Sequence, residues 1–145
     1  MGQNGRRMIR ENVVAREIVG AAHRVHEALG PGLLESVYEA ALAYELAGAG
    51  LPLRRQHPIP VRYREVLLTT GFRADLFVDA CVIVEIKSCR ELAPVHFRQL
   101  DTYLRLANVK LGLLLNFGEW RMRRGVKRVL NGLYGTPEQT DDAVA

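Results

Sequence analysis

Residues 111–117 read Leu-Gly-Leu-Leu-Leu-Asn-Phe, a nearly continuous apolar run that Gly118 closes. A strand of this kind has no face to offer water, so it belongs at the centre of a sheet covered by other layers. The covering helices are legible. Val14, Ile18, Ala21, Val25 and Leu29 recur at helical spacing, with Asn12 as N-cap. Gly30-Pro31-Gly32 breaks that helix. A second helix runs from near Leu33 to about Ala49, with Leu34, Tyr38, Ala41 and Leu42 as its stripe and Gly48 and Gly50 at its end. A third begins at Pro94, an N1 proline, and carries Phe97, Leu100, Leu104 and Ala107 on one side.

Between them the period changes to two. Ile59, Val61 and Tyr63 alternate with Pro60, Arg62 and Arg64, a strand whose prolines, Pro58 and Pro60, suit a sheet edge or an irregular start. Phe72 to Val78 and Cys81 to Ser88 are two more strands. Asp79-Ala80 joins them tightly, so they pair as an antiparallel hairpin whose turn type stays open. Glu119 to Leu130 reads equally as edge strand or helix. The expected class is α/β, a mixed sheet flanked by helices in the order ααβββαβ, followed by that ambiguous element.

A chain of 145 residues, 48% hydrophobic and 25% charged, implies one soluble domain with a core of its own. Residues 1–11, with Arg6, Arg7 and Arg10, read as a basic, loosely ordered arm. Residues 12–135 form the domain, and 136–145 a disordered acidic tail. No apolar run reaches the roughly 18–20 residues that span a bilayer. Nor is there a secretory h-region, so a cytoplasmic protein is expected. Cys81 and Cys89 have no partner at zinc-ribbon or CxxC spacing, which argues against zinc and iron–sulfur sites. The net charge is +4, from a basic set of 17 Arg and 3 Lys; it permits an anionic partner without requiring one.

The chemistry concentrates in Val82-Ile83-Val84-Glu85-Ile86-Lys87-Ser88. Strand alternation puts Glu85 and Lys87 on one face, and two charges inside an apolar strand are costly unless they pair or act. Asp75 precedes Glu85 by 10 residues, so the hairpin brings the two regions together. Two carboxylates and an ammonium suit a hard divalent cation such as Mg²⁺, which takes oxygen ligands and works beside phosphate. Gln99 and Tyr103 lie four apart on one helix face, and Glu35 begins the second helix, where the dipole favours an acid.

Five ordered segments resemble the GxxExxxR proteins, a bacterial family assigned to the PD-(D/E)xK nuclease superfamily. They are Gly30-Pro31-Gly32-Leu33-Leu34-Glu35-Ser36-Val37-Tyr38, Arg73-Ala74-Asp75-Leu76, Val84-Glu85-Ile86-Lys87, Gln99 to Tyr103, and Leu113 to Gly118. The resemblance runs from about residue 12 to 132. It implies a restriction-endonuclease-like core, with Asp75 as the first acid and Glu85 and Lys87 as the ExK. Glu35 corresponds to the acid that a helix contributes, and Gln99 and Tyr103 to the QxxxY helix of the RecB-like branch. His26 corresponds to a helical histidine that some members use as a metal ligand. Glu39 departs, standing where arginine is expected, and the cysteine cluster of some RecB-like exonucleases is absent.

The function expected is Mg²⁺- or Mn²⁺-dependent hydrolysis of phosphodiester bonds in DNA or RNA. Asp75 and Glu85 bind metal with the Ile86 carbonyl, Lys87 positions water, and Glu35 assists. Arg73, Arg121, Arg123 and Arg124 contact phosphate, and Trp120 is placed to stack on a base. Two other readings remain: a nucleic-acid-binding module that keeps the fold without useful turnover, and a self-assembling protein, with a homodimer as the simplest form.

Overall fold

A computed structural model of the chain describes residues 8–69 and 71–132. The elements in order are α1 (Ile9–Leu29), α2 (Glu35–Gly48), β1 (Leu53–Pro58), β2 (Val61–Tyr63), β3 (Val66–Leu68), β4 (Arg73–Val78), β5 (Val82–Lys87), α3 (Pro94–Ala107), β6 (Leu111–Asn116), α4 (Met122–Gly125) and β7 (Val126–Leu130). Five strands form one sheet in the order β1-β4-β5-β6-β7, while β2 and β3 make a separate ribbon. The sheet is mixed: β5 and β6 run parallel and the other neighbours antiparallel. This is the α/β sheet flanked by helices that the apolar run at 111–117 requires.

Two cores meet at the sheet. Ile18, Leu42 and Leu46 of α1 and α2 pack with Val84, Leu113 and Phe117 on one face. Leu100 and Leu104 of α3 pack with Ile83, Leu114 and Val129 on the other. The connection from β5 to α3 to β6 is the crossover that parallel neighbours need. Every residue of β6 is buried, as its composition predicts. Among the described residues, no helix is long and apolar enough to cross a membrane.

The structure corrects the sequence reading in two places and resolves what it left open in two more. First, α1 begins at Ile9, so Asn12 lies inside it; its side chain accepts a hydrogen bond from Arg128 instead of capping the helix. Arg10 and Glu11 therefore belong to the helix. The rest of the basic arm, residues 1–7, and the acidic tail at 136–145 lie outside the described residues. Second, the sheet edge is β1, whereas Val61 to Tyr63 pair with β3 away from the sheet. Third, the ambiguous segment resolves into both alternatives, a one-turn helix and then edge strand β7. Fourth, the β4–β5 turn is closed by Cys81 N–H to the Val78 carbonyl, with φ of 49° at Asp79 and 51° at Ala80. Positive φ at both central residues is the primed geometry that matches strand twist, here without glycine.

One fully buried polar residue organises the far end of the sheet. The Asn116 side chain accepts from Cys89 N–H and Gly118 N–H, both at 3.0 Å, and donates to the Cys89 carbonyl at 2.9 Å. Gly118 lies so close to Cys89 that an added Cβ would strike its backbone. Gly118→Ala should therefore destabilise the protein by about 3 kcal/mol, as overpacking against a rigid neighbour does. Gly20→Ala, whose Cβ meets only the end of Arg24, is the control and should hold or gain stability. Denaturant unfolding of the two variants reads the difference.

Candidate active site

The site lies where the β4–β5 ladder ends. Backbone pairing runs from Val78↔Val82 to Leu76↔Val84 and stops short of Asp75 and Glu85. From there each carboxylate serves the other strand. Asp75 N–H donates to Glu85 Oε1 at 3.1 Å, and Ile86 N–H donates to Asp75 Oδ2 at 2.7 Å. The break is visible in packing as well: Leu76 belongs to the α1–α2 core, but Ala74, two residues earlier, belongs to the α3 core. The two acids on which the sequence converges are thus brought together and aimed by backbone amides.

The other neighbour of Asp75 is also opened. Pairing of β1 with β4 skips from Arg55↔Leu76 to His57↔Ala74, and Gln56, opposite Asp75, has φ 49°. Positive φ is costly for a side chain other than glycine and persists only where surroundings enforce it. Here the Gln56 amide Nε2 donates to Asp75 Oδ1 at 3.2 Å and to Glu39 Oε1. Glu39 is 7% exposed and is paired with Arg55 at 3.0 Å. This Arg55–Glu39–Gln56–Asp75 chain was not anticipated. Its one sequence signal was an acid at a buried position of α2, where the resembled family has arginine.

Glu85 is 4% exposed, and its carboxyl is pushed up to about 8 by burial first and by the nearby Asp75 charge second. Burial also raises Asp75, against the opposing pull of Ile86 N–H and Gln56. The half-buried Lys87 lowers both, but as the weaker influence. An oxygen-only pair short of positive charge is the chemistry a hard divalent cation completes. Among the described residues no three His, Cys, Asp or Glu side chains are arranged to hold a metal ion. Two carboxylates are nonetheless a usual protein contribution to Mg²⁺, which retains several waters.

The remaining residues fall into three groups. Tyr103, buried on α3, senses both Glu85 and Asp75, and its oxygen receives Gln99 Nε2 at 2.9 Å. Glu35 is exposed at the start of α2 and reaches Glu85 electrostatically. Its position is set by the turn before it. Tyr38 O–H donates to the Gly30 carbonyl and accepts Leu33 N–H at 3.0 Å, and Ser88 Oγ donates to the Leu33 carbonyl at 2.5 Å. His26 is directed elsewhere: its Nε2 is hydrogen-bonded to the Glu119 carbonyl at 2.7 Å. Arg73 is exposed and donates to the Gln56 carbonyl at 3.2 Å. Arg121, Arg123 and Arg124 line a separate open groove with Phe97 and Glu119.

A family model described as the PD-(D/E)XK nuclease superfamily matches residues 12–129 of the chain. No curated protein and no solved structure matches it.

Proposed function

The chain belongs to the PD-(D/E)XK nuclease superfamily, and on that premise we propose that it hydrolyses phosphodiester bonds in DNA or RNA with Mg²⁺ or Mn²⁺ held by Asp75 and Glu85. Within the superfamily we group it with the GxxExxxR proteins and the RecB-like branch, on Gly32, Glu35 and the Gln99–Tyr103 pair. The observation that carries the reading is the facing Asp75–Glu85 pair, with Glu85 buried and Asp75 half-buried, aimed by Ile86 and Asp75 amides, and short of positive charge.

The roles follow from the surroundings. Asp75 and Glu85 hold the cation, with the Ile86 carbonyl as a third protein oxygen. A divalent ion bound there supplies charge neutralisation at the phosphate and a more acidic water. Lys87, on the same strand face as Glu85, orients the attacking water and offsets phosphate charge. Gln99 Nε2 already donates to the Tyr103 oxygen, so the hydroxyl's own proton is left for an acceptor in the site, carboxylate or phosphate. Glu35 assists from the rim. We assign His26 a structural role, anchoring Glu119, rather than a ligand role.

Mn²⁺ titration by equilibrium dialysis, alongside cleavage of end-labelled DNA and RNA, tests the reading. Binding that is lost in Asp75→Ala, with metal-dependent cleavage, is expected. No binding of either ion and no cleavage would leave the nucleic-acid-binding module as the better account. A second expectation concerns Gln56. Gln56→Gly removes the amide yet suits the positive φ, so Mn²⁺ affinity should fall about 10-fold or more while stability holds. Equal affinity in that variant would show that Asp75 needs no such support.

A further inference from the structure

The open groove lined by Arg121, Arg123, Arg124 and Lys127, with Phe97 and Glu119, has a volume of about 610 Å³. Three observations set it apart. The three arginines are exposed, and none of the four cationic side chains makes a hydrogen bond or ion pair among the described residues. They are therefore open to an anion, and three of them offer the planar fork that fits phosphate. Trp120, between two lining residues, is 86% exposed. Lastly, the groove adjoins the carboxylate site. Phe117 N–H donates to the Lys87 carbonyl at 2.8 Å, and the next residue, Gly118, packs against the Cys89 backbone and leads directly into Glu119 of the groove. His26 pins the Glu119 carbonyl in that place.

We infer that this groove binds an unpaired nucleic-acid segment next to the cleaved bond, with its phosphates on Arg121, Arg123, Arg124 and Lys127 and a base stacked on Trp120. A basic track beside an exposed aromatic ring is the arrangement single strands use, because every unpaired base has a free π-face. A duplex keeps its bases stacked on one another and offers an indole no such face. The position of the cleaved bond rests on the nuclease reading; binding in the groove does not.

Trp120 is the chain's one tryptophan, so its fluorescence reports a base stacked on it beside the groove. The wild-type chain in EDTA is titrated with oligo(dT), with oligo(U), and with an oligo(dT)·oligo(dA) duplex of the same length. Anisotropy of labelled strands measures binding in parallel. Either single strand should quench Trp120, and salt should weaken its binding steeply. The double variant R123A/R124A, altered only at exposed positions, should bind at least about 10-fold more weakly. Trp120→Ala should lose about 10-fold by anisotropy. Binding without quenching, equal quenching by the duplex, or wild-type affinity in R123A/R124A would overturn the inference. Cleavage in Mg²⁺ is scored separately. Quenching without cleavage sustains the groove and removes the nuclease reading; cleavage without quenching removes the groove alone.

Discussion

Glu85→Gln should abolish metal-dependent cleavage and yet leave the metal-free protein more stable than wild type above about pH 8. The two effects share one cause. Glu85 is 4% exposed, and its carboxyl is pushed up to about 8. Ionising it in the folded protein means placing a charge where water is scarce and Asp75 already stands. Glutamine keeps the oxygen that accepts Asp75 N–H, so the aim of β4 against β5 survives. It removes the charge that the fold resists, and with it the charge that a cation needs. Loss of an outer partner of a metal site costs about 10–100-fold, so loss of a ligand should exceed 100-fold. Cleavage in Mg²⁺ and thermal melts in EDTA, taken at the same alkaline pH, read both halves. A variant that is inactive and also less stable would make Glu85 a structural residue, and the metal assignment would fail.

The second large effect is a pH dependence of the opposite sign to that of ordinary surface carboxylates. Unfolded, Glu85 titrates near its usual 4.5; folded, near 8. Between these values the folded chain keeps a proton that the unfolded chain has released. Folding therefore takes up protons, and stability falls as pH rises through that window and levels off above it. Asp75 shifts in the same direction from 3.8. His57 and His96 are both lowered from 6.5, chiefly by burial, and stability gained from them rises with pH up to that point. The carboxylate effect is thus cleanest between about 6.5 and 8. Its size is on the order of a few kcal/mol, a large part of a typical domain's 5–15. Denaturant unfolding in EDTA across this range should show the decline. Mg²⁺ or Mn²⁺ should reverse it, because the ion binds the ionised folded state alone. A flat metal-free profile would contradict the burial of Glu85 beside Asp75.

The parts of the molecule that sequence reasoning reached are those whose own composition demands burial. The β6 run has one environment open to it, and the β4–β5 hairpin follows from two apolar strands with a two-residue break. Asp75, Glu85 and Lys87 stood out because charge is rare in such strands. What was missed lies at the margins. Strand β1 reads Leu-Arg-Arg-Gln-His-Pro and is mostly exposed, so it carries no apolar alternation. The stronger alternation at Ile59, Val61 and Tyr63 drew the edge to the wrong segment. The contact between Glu39 and Gln56 spans 17 residues and depends on how α2 lies across β1, which no local period encodes. Nor did any pattern foretell that the ladder would part at Asp75, since that parting is made by the carboxylates themselves.

The β4–β5 hairpin also limits how such a chain can change in length over generations. Asp75 and Glu85 face each other across a single turn, so the number of residues between them acts as a gauge. One residue gained or lost there would turn every later side chain of β5 to the opposite side. Val84 or Ile86 would arrive beside Asp75, and Glu85 would be driven into the apolar layer against α1 and α2. The β2–β3 ribbon is different: its side chains are mostly exposed and it sits outside the sheet. Insertions in this lineage therefore have room upstream of Asp75, in the ribbon, and none in the short interval that holds the two acids in step.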